Sequence, residues 1–135
     1  MCIRDRFYTR PSSPSGPALD AFNAAMKKAY PKSAGGLFVP QTYDAAFVLA
    51  LAIAKAGSTD RTKVRDALRA VGNGKGMKIL PGQWKEALAA IKAGKEIDYA
   101  GATGNIDFDK DGDVAGSYKQ WEIKGGKAVD LGPAR

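Results

Sequence analysis

The residue types that carry most catalytic and metal chemistry are scarce in this chain. Its 135 residues include no histidine and one cysteine, Cys2. A Ser–His or Cys–His nucleophile, an imidazole metal site and an intrachain disulfide are therefore all excluded. The carboxylates Asp98, Asp107 and Glu122 lie beside glycines or polar neighbours, so no pair of them is singled out for acid–base catalysis. We expect no catalytic residues and no enzymatic activity.

An aspartate-rich run invites comparison with a calcium-binding loop. Asp107-x-Asp109-x-Asp111-Gly112 alternates carboxylates in the manner of the first half of such a loop. The twelfth loop position, where a bidentate glutamate is needed, is Tyr118, and the flanking residues have the pattern of strands. Turn formation by aspartate side chains explains the residues equally well. We therefore predict no metal site, and no cofactor.

A glycine-rich run with a lysine, Gly72-Asn73-Gly74-Lys75-Gly76, resembles a phosphate-binding loop only superficially. In such a loop the lysine is followed by serine or threonine and the glycines follow a strand. Here Gly76 follows the lysine, and the preceding residues have helical spacing. The run is predicted to end a helix and form a loop.

Tyr43 and Asp44 are the candidate ligand-binding residues. They lie at the predicted start of an apolar helix, where free backbone N–H groups and the helix dipole favour a ligand carboxylate. Tyr43 could stack on an apolar ligand or donate its hydroxyl. The structural alternative is a buried aromatic residue followed by an acidic residue in the first helical turn.

The positive charge of the chain is dispersed. The formal net charge is +7 and the isoelectric point is about 9.6. Lysines and arginines occur one or two per helical turn along most of the chain, without the interleaved aromatic residues of a nucleic-acid-binding strand. A solvated basic surface is predicted, with no nucleic-acid partner.

These side chains must be positioned by a fold that is organised around one apolar helix. From Ala45 to Ala54 every residue is apolar, Thr42 is a possible N-cap, and Gly57 can supply a left-handed stop. A helix that is apolar on nearly all sides must be buried. The run has about half the length of a membrane span, so we predict a core helix that needs neighbours on several sides.

The other predicted elements are a loop at 7–17, three more helices and then strands. The helices are expected from Ala18 to Tyr30, after the caps at 58–60, and after Pro81-Gly82. Leu37 to Val39 is predicted to be a strand end or an extended connector. A three-strand meander is expected at 105–109, 117–124 and 127–131, with a turn at Gly125-Gly126 and with Trp121 and Ile123 on the core side.

Residues 1–6 do not match helix or strand periodicity and are followed by no apolar signal segment. We predict that they are a non-native leader or assembly scar, and that residues 7–135 form the folded part. A native frayed terminus is the alternative.

Several stretches together resemble the closing portion of the periplasmic substrate-binding proteins of branched-chain amino acid ABC transporters. The resemblance covers about residues 17–131. It rests on Tyr43-Asp44-Ala45 before the apolar helix, on 54–60, on Val64-Arg65-Asp66-Ala67-Leu68, on 94–109 and on Asp111-Gly112-Asp113-Val114.

This resemblance implies an α/β fold: the C-terminal portion of a type I periplasmic-binding-protein fold, incomplete, with four helices followed by a β-meander. In this family two α/β lobes, joined by three crossovers, close on a small ligand. The resemblance also implies that the main ligand-gripping residues lie in segments absent here. The absent parallel strands would cover the central helix.

The function implied is that of a periplasmic solute-binding component of an ABC uptake system for branched-chain amino acids or related small amides, here truncated. Its partners would be the small-molecule ligand and a membrane permease, and the full-length protein would be monomeric. Two alternatives stay open: a ligand-sensing regulatory domain of the same fold, and a self-sufficient basic interaction module.

Overall fold

The computed structural model of the chain describes residues 6–32 and 36–134 and shows a mixed α/β fold. The prediction of a non-native leader at 1–6 lies outside these residues except for Arg6, and it stays a prediction. Within the described part, the elements follow in the order β1 (Arg6–Ser12), α1 (Pro17–Ala29), α2 (Val39–Ala56), α3 (Arg61–Gly72), β2 (Met77–Ile79), α4 (Trp84–Lys92), β3 (Ile97–Gly101), β4 (Gly104–Asn105), β5 (Ser117–Lys124) and β6 (Lys127–Pro133).

The central helix α2 is present and ends as predicted. Gly57 adopts φ 59° and ψ 23°, the left-handed conformation that terminates a helix. The predicted start was wrong, because α2 begins three residues before Thr42 and its N-cap is Phe38. Pro40 lies in the first turn, where its missing N–H is not needed. Thr42 is inside the helix, and its hydroxyl donates to the Phe38 carbonyl at 2.9 Å.

Leu37 and Phe38 form a turn, and Val39 already belongs to α2. The prediction of a strand end or an extended connector at these residues was therefore wrong. The turn leaves Leu37 and Phe38 half exposed at the N-terminal end of the helix.

Helices α3 and α4 pack beside α2 and form the core with β2 and β3. The Asp60 carboxylate caps α3 by accepting from the Lys63 N–H at 3.1 Å, which confirms the cap predicted at 58–60. The apolar face of α3 is buried in this core through Val64, Ala67 and Val71. The parallel strands β2 and β3 complete this cluster, with Ile79 opposite Tyr99 and with Ile97 two residues before it.

The strands form two three-stranded sheets with the orders β2-β3-β4 and β1-β5-β6. The predicted strand at 117–124 and its Gly125-Gly126 hairpin are confirmed as β5 and β6. The predicted loop at 7–17 was wrong over its first half, because β1 pairs antiparallel with β5 from Arg6↔Ile123 to Ser12↔Ser117. Pro11 is tolerated since β1 is an edge strand.

The predicted meander was wrong in its first strand, and the predicted position of Trp121 on the core side was also wrong. Only Gly104–Asn105 of that region is strand, and Phe108 makes an isolated bridge to Val114. The third strand beside β5 is β1 instead. Trp121 is half-buried, outside the core cluster, and its ring stacks on Tyr8 across the strands with 6.5 Å between centroids.

Within residues 6–32 and 36–134, no helix has the length and apolar content to cross a membrane. The central helix nevertheless keeps an apolar strip in solvent. Leu49 is 46 % exposed and Ile53 is 37 % exposed, whereas Leu51 and Ala52 are fully buried. One face of α2 therefore lacks a neighbour in the described part of the chain.

We predict that this strip makes the chain bind apolar dyes and self-associate. The double variant Leu49→Ser/Ile53→Ser should lower dye fluorescence and aggregation, and it should cost less free energy of unfolding than a substitution in the core, because both side chains are partly exposed. Dye fluorescence, light scattering and urea unfolding measure these effects. The matched buried variant Leu51→Ala should cost about 2–5 kcal/mol. Dye binding that is unchanged in the double variant would contradict the prediction.

Candidate functional site

Asp44 is a buried carboxylate whose partners are all from its own chain. It lies in the second turn of α2 and is 2 % exposed. Its Oδ1 accepts from the Tyr99 hydroxyl at 2.7 Å and from the Ala102 N–H at 2.9 Å. Its Oδ2 accepts from the N–H and the hydroxyl of Thr103 at 2.8 and 2.7 Å. Four donors thus compensate the burial of the charge and tie α2 to the end of β3.

The close approach of Asp44 to the sheet depends on a glycine. A Cβ atom built on Gly101 would lie 2.5 Å from Asp44 Oδ2 and 2.6 Å from its Cγ. Any side chain at this position would displace the carboxylate. Gly101 is therefore needed for space rather than for an unusual backbone angle.

Tyr43 faces away from this cluster and supports the core. Its ring lies between those of Phe22 and Phe47, with centroids at 5.1 and 5.6 Å. Its hydroxyl accepts from the Gly82 N–H at 2.9 Å. Burial raises the pKa of Tyr43, against the effect of the Gly82 hydrogen bond, so the hydroxyl stays protonated.

The N-terminus of α2 offers few free donors. The Val39 N–H donates to the Gly36 carbonyl at 3.3 Å, and the Thr42 N–H donates to Phe38 at 2.9 Å. Pro40 has no N–H. Of the first four residues of the helix, only Gln41 has a backbone N–H that donates to none of the described residues in this way. Ligand binding by Tyr43 and Asp44 through these N–H groups stays a prediction.

A mainly apolar cavity of about 500 Å³ lies beside Asp44, between α2 and the start of the β1–β5 pair. Ligand pockets in proteins commonly have volumes of 300–1,000 Å³ and are lined chiefly by apolar side chains. The lining residues come from β1, α2, α3 and the segment from the β3–β4 turn to β5. They include Phe38, Ala45, Val48, Leu49, Leu68, Ile106, Phe108 and Val114.

Polar groups in the wall of this cavity are few. They belong to Ser12, Gln41, Asp44, Thr103, Ser117 and Tyr118. Asp44 is the single charged residue among the described residues that line the cavity, and its oxygens already have four donors. Gln41 Oε1 is buried and accepts no hydrogen bond from the described residues. It is therefore a buried acceptor in this wall without a donor among the described residues.

The aspartate-rich run forms a turn beside the cavity. Asp109 Oδ1 accepts from the N–H groups of Asp111, Gly112 and Asp113, each at 2.9 Å. The turn interpretation of these residues is confirmed, and the backbone donors, Asp113 foremost, lower the pKa of Asp109. The Arg69 guanidinium donates to the carbonyls of Phe108, Asp109 and Lys110 and so holds the turn against α3.

Sequence reasoning found Tyr43 and Asp44 but not the residues around them. The structure brings Asp44 together with Tyr99 and Thr103, and it places Tyr43 on another face of α2. Gln41 was missed, although it lies one helical turn before Asp44 and therefore shares its face. The short turn Gly101-Ala102-Thr103-Gly104, with its small residues, was the available signal for a close backbone approach.

Comparison with known protein families shows to which family the chain belongs. The family described as receptor family ligand binding region matches residues 5–126. The chain belongs to this family. Its members are ligand-binding proteins, and the fold of the chain is part of a type I periplasmic-binding-protein fold.

Two related proteins show what the chain is similar to. The leucine-binding protein LivK of Thermotoga maritima matches 96 % of the chain with a TM-score of 0.59 and 26 % identity. The chemotactic signal transduction system substrate-binding protein BasB of Halobacterium salinarum is 39 % identical over 71 residues, 53 % of the chain. The chain spans 30 % of the length of LivK, and the matched part is 17 % of BasB.

We predict that Asp44→Ala lowers the free energy of unfolding by about 3 kcal/mol or more, because four donors, buried or partly buried, lose their acceptor. Asp44→Asn should cost less, since the amide keeps one acceptor oxygen. Urea unfolding at neutral pH measures both. The control Asp66→Asn removes an exposed carboxylate paired with Arg65 and should cost less than about 0.5 kcal/mol. Equal stability of Asp44→Ala and Asp66→Asn would show that the carboxylate is not an anchor.

We also predict a loss of stability above about pH 10. Burial, and then the neighbouring Asp44 carboxylate, raise the pKa of Tyr99 far above its ordinary value of 10.0. Above that value the unfolded chain releases the proton while the folded chain retains it, so the free energy of unfolding falls by up to about 1.4 kcal/mol per pH unit. Below about pH 10, the contribution of Tyr99 to the free energy of unfolding is fully present.

The check is urea unfolding between about pH 8 and 11. Tyr99→Phe should be less stable at neutral pH, because Asp44 loses one donor, and should show a shallower alkaline decline than the wild-type chain. The exposed Tyr118→Phe serves as the matched control and should keep the wild-type slope. An alkaline decline that is identical in all three proteins would rule out Tyr99 as its source.

Proposed function

We propose that the chain works in the solute-binding component of an ABC uptake system for branched-chain amino acids or related small amides. The observation that carries this proposal is the apolar cavity of about 500 Å³ beside the N-terminal half of α2. A branched aliphatic side chain fits such a lining, and a leucine-binding protein is among the proteins of similar structure. The proposed full-length protein is periplasmic, delivers its ligand to a membrane permease, and is monomeric.

The proposed mechanism is binding by lobe closure without covalent chemistry, so the protein is not an enzyme. The architecture supports this. The contacts of β1 and β6 are chiefly with β5, and the β1-β5-β6 sheet joins the helices through two connections, at 13–16 and 106–116. A sheet held in this way can rotate against the α2–α3 body. The cavity lies between the two and would close around a ligand.

Tyr43 and Asp44 keep distinct roles in this proposal. Asp44 forms part of the cavity wall and fixes α2 against the β3–β4 turn. Tyr43 supports the same helix from another side through its stacked ring and its bond to Gly82. Neither residue needs to contact ligand charge. No nucleic-acid partner or cofactor is part of the proposal.

A sensory role is the second candidate, and one observation favours it. The relative BasB is named as the substrate-binding protein of a chemotactic signal transduction system. The same cavity and the same closure would then signal to a receptor rather than deliver to a permease. Deletion of the gene in the source organism separates the two roles. Loss of labelled-ligand uptake supports transport, and loss of chemotaxis with normal uptake supports sensing.

Direct binding is the test of the proposed function. We expect at least one compound among leucine, isoleucine, valine and their short amides to bind the 135-residue chain saturably. A ligand at 100 times its Kd should raise the free energy of unfolding by about 2.7 kcal/mol. Titration calorimetry and thermal melts measure this, with glutamate and glucose as controls. Absence of saturable binding by the whole panel would contradict the proposal for this chain.

A further inference from the structure

The glycine-rich run Gly72-Asn73-Gly74-Lys75-Gly76 packs against backbone at each of its glycines. A Cβ atom on Gly72 would overlap the carbonyl oxygen of Ile106 and lie 2.9 Å from Phe108 Cε2. Cβ atoms on the other two glycines would overlap the carbonyl oxygens of residues 97 and 96. The two residues between the glycines are exposed. The run is therefore a close seam between backbone segments, and its glycines provide the space for it.

Asn73 joins this seam to the segment after β4 by pairing with the backbone of one residue. Its Nδ2 donates to the Phe108 carbonyl at 2.7 Å, and its Oδ1 accepts from the Phe108 N–H at 2.9 Å. Both backbone groups of Phe108 are thus satisfied by one side chain, as they would be by a neighbouring strand. Because one partner is a donor and the other an acceptor, the pair also sets the orientation of the asparagine amide.

Arg69, one helical turn before Asn73, holds the residues that follow Phe108. Its Nη1 donates to the carbonyls of Phe108 and Asp109, and its Nη2 donates to the carbonyl of Lys110 at 3.2 Å. A planar guanidinium carries five donors in a fixed fork, so it can hold several carbonyls at once, which a lysine ammonium on a flexible stem does less well. Residues 108–110 are therefore fastened to the C-terminal end of α3.

The fastened residues belong to a turn that is closed by its own hydrogen bonds. The Asp109 N–H donates to the Asp113 carbonyl at 2.8 Å, and Phe108 forms a bridge with Val114. Residues 106–114 are thus one compact unit seated on α3. Two residues, 115 and 116, separate this unit from β5, and residues 13–16 separate β1 from α1.

We infer that Arg69 and Asn73 are positioning residues that make 106–114 part of the α2–α3 body. Rotation of the β1-β5-β6 sheet then takes place at 115–116 and at 13–16, since a few residues outside regular elements absorb such changes in backbone angle. The consequence for closure rests on the proposed function, whereas the clamp on 108–110 exists without a ligand. Two short joints restrict the sheet to fewer directions of motion than a connection that is free from 106 onwards.

Nitrogen-15 relaxation of the 135-residue chain tests where the joints lie. We expect order parameters of about 0.85 along 106–114, equal to those of α3, because a rigid backbone has such values. The order parameters should be lower at 115–116 and at the non-proline residues of 13–16. No ligand is needed for this measurement.

Amide hydrogen exchange tests the two side chains. The double variant Arg69→Lys/Asn73→Ala should raise the exchange rate of the Phe108 N–H about tenfold or more, because the hydrogen bonds that keep it closed are lost. The Val71 N–H, in the last turn of α3, should keep its rate, which distinguishes release of the clamp from unfolding. If the double variant does not fold, Asn73→Ala alone takes its place.

The matched control is the double variant Asn23→Ala/Arg61→Lys. It makes the same two changes at exposed positions, in α1 and at the N-terminal end of α3. The exchange rate of the Phe108 N–H should be the same in this control as in the wild-type chain.

Each outcome supports or overturns the inference. Order parameters that already fall between 107 and 110, or that stay high through 115–116, overturn the assigned position of the joint. A Phe108 exchange rate that the clamp variant leaves unchanged, or that rises only together with that of Val71, overturns the positioning role. Failure of the earlier ligand panel to bind overturns the proposed function and leaves the clamp standing.

Discussion

The buried carboxylate of Asp44 is the constraint on which the rest of the structure depends. A charge that is 2 % exposed is tolerable only with a full set of donors, and here these come from a tyrosine, a threonine and two backbone N–H groups. Because Ala102 and Thr103 follow β3 directly, these bonds fix the height of α2 over the sheet. Gly101 provides the space that this approach requires.

The same anchoring gives the cavity its chemical character. With Asp44 occupied and Arg69 committed to the turn at 108–110, the described wall presents aliphatic and aromatic groups and a few neutral polar ones. An apolar site with few polar groups binds by excluding water from hydrocarbon and gains its specificity from those few groups. Gln41 contributes a buried amide oxygen that accepts no hydrogen bond from the described residues. The residues that anchor α2 and the residues that line the cavity thus lie on one face of one helix.

The sequence was informative where structure is set by neighbours in the chain. The left-handed stop at Gly57, the Asp60 cap and the Gly125-Gly126 hairpin all depend on residues within a few positions of one another, and all three are confirmed. β1 was missed because its prolines and serines have the composition of a loop and its partner β5 lies more than 100 residues away. The donors to Asp44 were missed for the same reason, since they lie 55 to 59 positions along the chain.

The central claim is that a small ligand with a branched aliphatic group binds in the cavity between α2 and the β1–β5 pair. Carbon-13 methyl NMR of the chain during titration with 3-methylbutanamide tests this most directly. The account predicts saturable shifts concentrated at the methyl groups of Val48, Leu68, Ile106 and Val114, with contacts from the ligand methyls to the same groups. Shifts confined to the exposed strip at Ile53 and to distant Val129, with no change at the cavity methyls, would contradict it.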